Sequence, residues 1–154
     1  MLTRNGLIII ISIFFILGIG ACKKSTVDQE VVDQELIDAY IAENNLNTIK
    51  TDSGLHYIIN NPGDDNHPNY YSFIVATYTG YLLDGSVFDD GSYQLETDLS
   101  NLLPGWIEGL QYIGEGGSIK LIIPSKLGYA GIEKQGIPAY SVLVFDISLL
   151  QVYN

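Results

Sequence analysis

The fold class expected from the sequence is α+β: an antiparallel sheet with one short helix covering one face, preceded by an amphipathic N-terminal helix. Three observations predict it. Apolar and polar residues alternate in several runs between residue 51 and the C-terminus, which is the period of strands with one buried face. Asp84-Gly85 separates two such runs as a tight-turn dipeptide. The one helical signal inside this region is the short stretch opened by Pro104, so a single short helix is available to cover the apolar face.

Met1 to Asn5 carries Arg4, and an almost unbroken apolar run follows from Gly6 to Ala21, which has the form of a basic n-region followed by a signal-length h-region. The run is shorter than the ~20 residues that span a bilayer as a mature helix. It ends in Ile19-Gly20-Ala21-Cys22, small residues directly before the single cysteine. This resembles a bacterial lipobox. The resemblance implies cleavage before Cys22, lipidation of that cysteine, and a domain held at a membrane in the bacterial cell envelope. An uncleaved N-terminal anchor is the alternative. The expected boundaries are 1–21 for the signal peptide, 22–50 for the acylated cysteine, tether and amphipathic helix, and 51–154 for the folded domain.

Thr26 to Gln29 reads as a capping box, with Thr26 as N-cap and Gln29 reaching back. Val32, Leu36 and Tyr40 recur four apart beside Ile37 and Ile41, while Asp28, Glu30, Asp33, Glu35 and Asp38 fill the other side. The helix is expected to end near Asn44-Asn45, with a solvated acidic face and an apolar stripe through which two protomers can associate weakly. Residues 26–46 are expected to be dispensable for the fold of the rest. Leu55, Tyr57 and Ile59 then alternate along a half-buried strand, and the breaker cluster Asn61 to Asn66 stops it. Tyr71 to Leu83 forms a long strand that returns through Asp84-Gly85 into Ser86-Val87-Phe88. Trp106 and Leu110 lie four apart on the Pro104 helix. Ile119, Leu121 and Ile123 mark the next strand, and Leu143, Phe145, Ile147 and Leu149 mark the last. His56 and His67 read as exposed strand and loop residues without a role.

Composition removes several function classes. The 154 residues carry 18 acidic against 7 basic side chains, a formal charge of −11, which repels nucleic-acid backbones. One cysteine and two histidines cannot supply a structural zinc site or an internal disulfide. Neither a GxSxG nucleophile elbow, a phosphate-binding glycine loop nor an HExxH zinc motif occurs. No cofactor and no metal are expected.

The strings from Val75 to Asp89, with Tyr78-Thr79-Gly80, Asp84-Gly85 and Phe88-Asp89, together resemble the FKBP family. So do Leu103 to Leu110, Lys120 to Tyr129, and Ile137-Pro138 through Leu150. The resemblance covers about residues 51 to 152, in order and with compatible spacing. It implies a curved five-stranded antiparallel sheet wrapped around one short helix, and peptidyl-prolyl cis/trans isomerase activity on proline-containing polypeptide clients. Carried onto this sequence, it makes Trp106 the floor under the proline ring. The implied catalytic set is Tyr78, Phe88, Asp89, Trp106, Tyr129 and Phe145, with Tyr93, Leu102, Leu103 and Ile137 expected to complete the substrate walls. The Tyr129 hydroxyl and the Leu103 backbone N–H would each hold a substrate carbonyl. The sequence departs from the family in lacking an arginine after Phe88-Asp89, in having Tyr93 where phenylalanine is usual, and in a slightly shortened Gly128 to Ile137 loop. Without that arginine Asp89 is read as a solvated hairpin carboxylate whose removal changes little. The alternative function is a catalytically weak or inactive FKBP-like domain acting as a chaperone or binding module. An open cavity faced by both Trp106 and Tyr129 would favour the enzyme.

Overall fold

The computed structural model describes residues 28–154; the apolar leader, Cys22 and Thr26 lie outside them. Helix α1 spans Gln29–Glu43, and the strands are β1 (Ile49–Lys50), β2 (His56–Asn61), β3 (Phe73–Leu82), β4 (Val87–Asp89) and β5 (Leu95–Asp98). After them come helix α2 (Pro104–Leu110), β6 (Ser118–Ile123) and β7 (Leu143–Tyr153). Single 3-10 turns occupy Leu99–Asn101 and Ser125–Leu127. No helix among the described residues is long and apolar enough to cross a membrane.

All strand pairings are antiparallel, and the sheet runs β1-β2-β6-β7-β3-β4, with β5 also on β3. The spine is β3 against β7, paired from Phe73 with Tyr153 to Leu82 with Leu143. The seven strands reconcile with the expected five through two details. β1 is a two-residue addition at one edge, while β4 and β5 lie along successive halves of β3 and amount to one edge strand interrupted at residues 90–94. The Asp84-Gly85 turn closes as expected, with the Leu82 N–H donating to the Ser86 carbonyl at 3.0 Å and the Ser86 N–H to Asp84 Oδ1 at 2.9 Å.

Strand alternation sorts the residues into two cores. Ile119, Leu121, Ile123, Leu143, Phe145, Ile147 and Leu149 pack with Trp106 and Leu110 of α2 in the larger one. Their neighbours Ile122 and Val144, with Val142, form a second core on the opposite face against Ile37 of α1. The sheet is therefore covered on both faces, which the sequence reading did not anticipate. The apolar stripe of α1 is used within the chain: Ile37 is fully buried and Tyr40 and Ile41 are half-buried, while Leu36, expected at the stripe's centre, is exposed. Helix α1 thus packs against the sheet through Ile37, Tyr40 and Ile41.

Two further expectations change. The N-cap is Asp28, whose carboxylate accepts the Glu30 N–H at 3.1 Å. Gln29, instead of reaching back, donates to Asp33 Oδ1 at 2.8 Å. His56 is not exposed but 5% accessible, because the residues of β2 that point away from the larger core point beneath α1. Its Nε2 lies 3.4 Å from the Gln34 amide nitrogen and its Nδ1 3.0 Å from the Thr48 hydroxyl. Gln34 donating to Nε2 and Nδ1–H donating to Thr48 satisfies both contacts with a neutral ring. Burial, and secondarily the Lys50 charge, lower the His56 pKa below its ordinary 6.5 against an opposing pull from Asp38. His67 is exposed as expected and contacts the Gln111 carbonyl through Nδ1 at 3.1 Å.

Candidate functional site

A cavity of about 420 Å³ opens between α2, the β3–β4 end of the sheet and the 128–140 loop. That volume lies within the roughly 300–1,000 Å³ range of small-molecule pockets. Trp106 is only 3% accessible and supplies the floor; Pro104 at the first helical position starts α2 so that the indole lies under the sheet. Its ring meets Tyr78 edge-on at 5.1 Å between centroids and Phe145 at 5.2 Å, and Phe88 meets Phe145 edge-on at 5.5 Å. These T-shaped contacts make a rigid aromatic wall rather than a collapsible apolar gap. Gly80 makes room for it, since a Cβ there would lie 2.5 Å from the Phe88 ring and 2.8 Å from that of Phe145.

Of the residues expected to form the site, the cavity brings together Tyr78, Phe88, Asp89, Leu102, Leu103, Trp106, Tyr129, Ile137 and Phe145. Tyr93 is the exception. It lies in the interruption between β4 and β5, is 86% accessible, and does not line the cavity. Leu95 stands in the wall instead, together with Lys134 and Gln135 from the opposite loop. The signal for Leu95 was its alternation with Thr97 as an inward strand residue, whereas nothing in the sequence marked Lys134 or Gln135. Lys134 places its ammonium 5.5 Å from the centre of the Tyr129 ring, a cation–π contact at the rim. No acceptor for the Leu103 N–H is found among the described residues, which leaves it available to a ligand carbonyl.

Asp89 is not simply a solvated carboxylate. Its Oδ2 accepts the Tyr78 hydroxyl at 2.5 Å and its Oδ1 accepts the Gly91 N–H at 3.1 Å. Gly91 has φ +61°, and a Cβ on it would collide with the Tyr78 carbonyl, so the loop after Asp89 folds back only with glycine there. Burial first, and then Asp89, push the Tyr78 pKa well above its ordinary 10, so the phenol keeps its proton and donates it. In the absence of an arginine, Asp89 is held by the Tyr78 hydroxyl and the Gly91 backbone amide. Asp89→Ala is therefore expected to free the Tyr78 ring and to cost about 1.5–3 kcal/mol, the range for a hydrogen bond to a charged group. Urea denaturation of the variant checks it, and a change below about 0.5 kcal/mol would restore the solvated reading.

Sheet, helix and cavity define the class: an α+β domain whose one internal helix floors an aromatic-walled, ligand-sized cleft. Residues 64–150 match the family model described as FKBP-type peptidyl-prolyl cis-trans isomerase, and the chain belongs to that family. It is 37% identical over 133 residues to the FKBP-type peptidyl-prolyl cis-trans isomerase FkpA of Escherichia coli strain K12, covering 84% of this chain and 48% of that protein. The FkpA of Buchnera aphidicola subsp. Acyrthosiphon pisum is 43% identical over 109 residues, covering 68% of this chain and 45% of that one. The crystal structure of FkpA from Escherichia coli superposes with a TM-score of 0.72 at 36% identity, covering 82% of this chain and 60% of the other. The chain spans about half the length of the curated relatives it matches.

Proposed function

We propose that this chain is a peptidyl-prolyl cis/trans isomerase that takes X-Pro segments of polypeptide clients into the Trp106 cavity. The carrying observation is the open, apolar cleft that Trp106 and Tyr129 line together. Rotation about an X-Pro bond faces a barrier of ~18–20 kcal/mol because the amide is planar and dipolar. A cavity walled by Trp106, Phe88, Phe145 and Leu95 disfavours the dipolar planar amide relative to the less dipolar twisted one, so binding energy goes to the transition state. A rate gain of roughly 10⁴ requires about 5 kcal/mol. Differential solvation, the fit of the proline ring on the indole, and hydrogen bonds from the Leu103 N–H and the Tyr129 hydroxyl supply contributions of that order. No side chain has to take up or release a proton. Asp89 holds Tyr78 in place, and the other wall residues, Leu102 and Ile137, exclude water.

The test is a protease-free or NMR exchange assay on a short peptide with an apolar residue before proline, using residues 23–154. Acceleration over the uncatalysed process of ~10–100 s at 25 °C is expected. A folded protein that binds the peptide but leaves that rate unchanged would assign the cavity to a chaperone or binding module.

We further propose that the chain works in the bacterial cell envelope, anchored by lipid on Cys22. The single cysteine directly after a short apolar run with small residues before it supports this reading. Mass spectrometry of the membrane-bound protein should find a chain starting at modified Cys22; recovery of an intact Met1 terminus there would contradict it.

A further inference from the structure

Asp33 is the acidic residue of α1 that enters the interior, at 1% accessibility, although the helix pattern places it on the solvated side. Its Oδ2 accepts the Ser125 N–H at 2.7 Å, and its Oδ1 accepts the Gln29 amide at 2.8 Å. A buried carboxylate is costly unless its hydrogen bonds recover what water supplied, and an apolar side chain would dock a helix at least as well. What Asp33 holds therefore explains it better than docking alone. Ser125 opens the 3-10 turn Ser125–Leu127, whose preceding Pro124 makes no side-chain cap, so α1 supplies the cap from another element. An exposed ion pair from Lys126 to Glu30 at 2.9 Å ties the same turn to the same helix.

The turn leads directly to the cavity. The Ser125 carbonyl accepts the Gly128 N–H at 3.0 Å and the Ala130 N–H at 2.8 Å, two amides that flank Tyr129. Ala130, in the left-handed region at φ +51°, passes the connection on, its carbonyl accepting the Tyr140 N–H at 2.7 Å. Tyr129 is thus held by a chain of short hydrogen bonds whose far end is the Asp33 carboxylate.

We propose that Asp33 is a positioning residue for the cavity: it fixes Ser125 and, through the Ser125 carbonyl, holds Tyr129 on the wall of the proline site. This rests on the isomerase reading above, and it makes α1 part of the machinery rather than a spacer.

The experiment is a double-mutant cycle in the full chain with Asp33→Ala, Tyr129→Phe and the pair, plus Asp33→Asn, which keeps an acceptor oxygen. Isomerisation is measured at matched folded fraction, together with amide hydrogen exchange at Gly128 and Ala130. Asp33→Ala should lower kcat/KM about three- to tenfold, chiefly in kcat, and speed exchange at both amides; Asp33→Asn should recover most of each. In the Tyr129→Phe background the Asp33→Ala effect should shrink to less than about twofold. Equal losses in both backgrounds, or a loss of stability with kcat/KM and exchange per folded molecule unchanged, would overturn the proposal. An inert parent protein would remove the isomerase reading, while the exchange data would still decide whether Asp33 holds the Tyr129 loop.

Discussion

Replacing Trp106 with alanine is expected to lower folding stability by about 3–5 kcal/mol, the usual cost of removing a buried aromatic from a core. Isomerisation at matched folded fraction should fall by ~10² or more, which corresponds to about 3 kcal/mol of lost transition-state stabilisation. The two losses share a cause. The indole is packed edge-on between Tyr78 and Phe145 and is at the same time the floor of the cleft, so its removal leaves a void under the wall and a wet floor under the substrate. Denaturant unfolding and the peptide assay separate them. A Trp106→Ala protein that is destabilised yet retains full activity per folded molecule would show that the proline ring rests elsewhere.

Removal of residues 28–46 should destabilise the remaining domain by several kcal/mol, a large share of the roughly 5–15 kcal/mol that stabilises an ordinary domain. The deletion uncovers Ile122, Val142 and Val144, all buried beneath Ile37, and each fully buried aliphatic side chain contributes on the order of 1.5–3 kcal/mol. It also exposes His56 and withdraws the Asp33 cap from Ser125. Ile37→Ala is the milder version, with about 2–5 kcal/mol expected. Urea unfolding of both against the parent measures the effect. If the deletion costs no more than about 1 kcal/mol, α1 is only loosely docked.

The cavity was legible in the sequence wherever a short motif fixes a backbone. Gly80 admits the Phe88 and Phe145 rings, Pro104 starts the helix that carries Trp106, and the Asp84-Gly85 turn returns Phe88 beside β3. Tyr93 was misplaced because the five residues between β4 and β5 leave the sheet, and no alternation within them says which side chain turns inward. Asp89 was misread because its partners, Tyr78 Oη and the Gly91 amide, lie across a hairpin and around a tight bend. A missing arginine is visible in sequence; hydrogen-bond partners brought up by folding are not.

By itself the sequence determined the antiparallel sheet with a short helix on one face, its long central strands and its turn, because period-2 and period-3.6 patterning and turn chemistry are local properties of the chain. Most of the cavity wall was legible only through the resemblance of its motifs to the FKBP family, since Leu102, Leu103, Tyr129 and Ile137 lie in loops that no periodicity marks. Only the tertiary structure decided the role of α1. Helix periodicity shows that an apolar stripe exists but not which surface covers it, and it counts an acidic residue as solvated wherever it falls. The outward residues Ile122 and Val144 of the sheet made that surface, and the Ser125 amide made a place for Asp33 inside it. Burial of a charge is a decision between distant segments, taken where an unpaired backbone donor and a carboxylate meet out of reach of water.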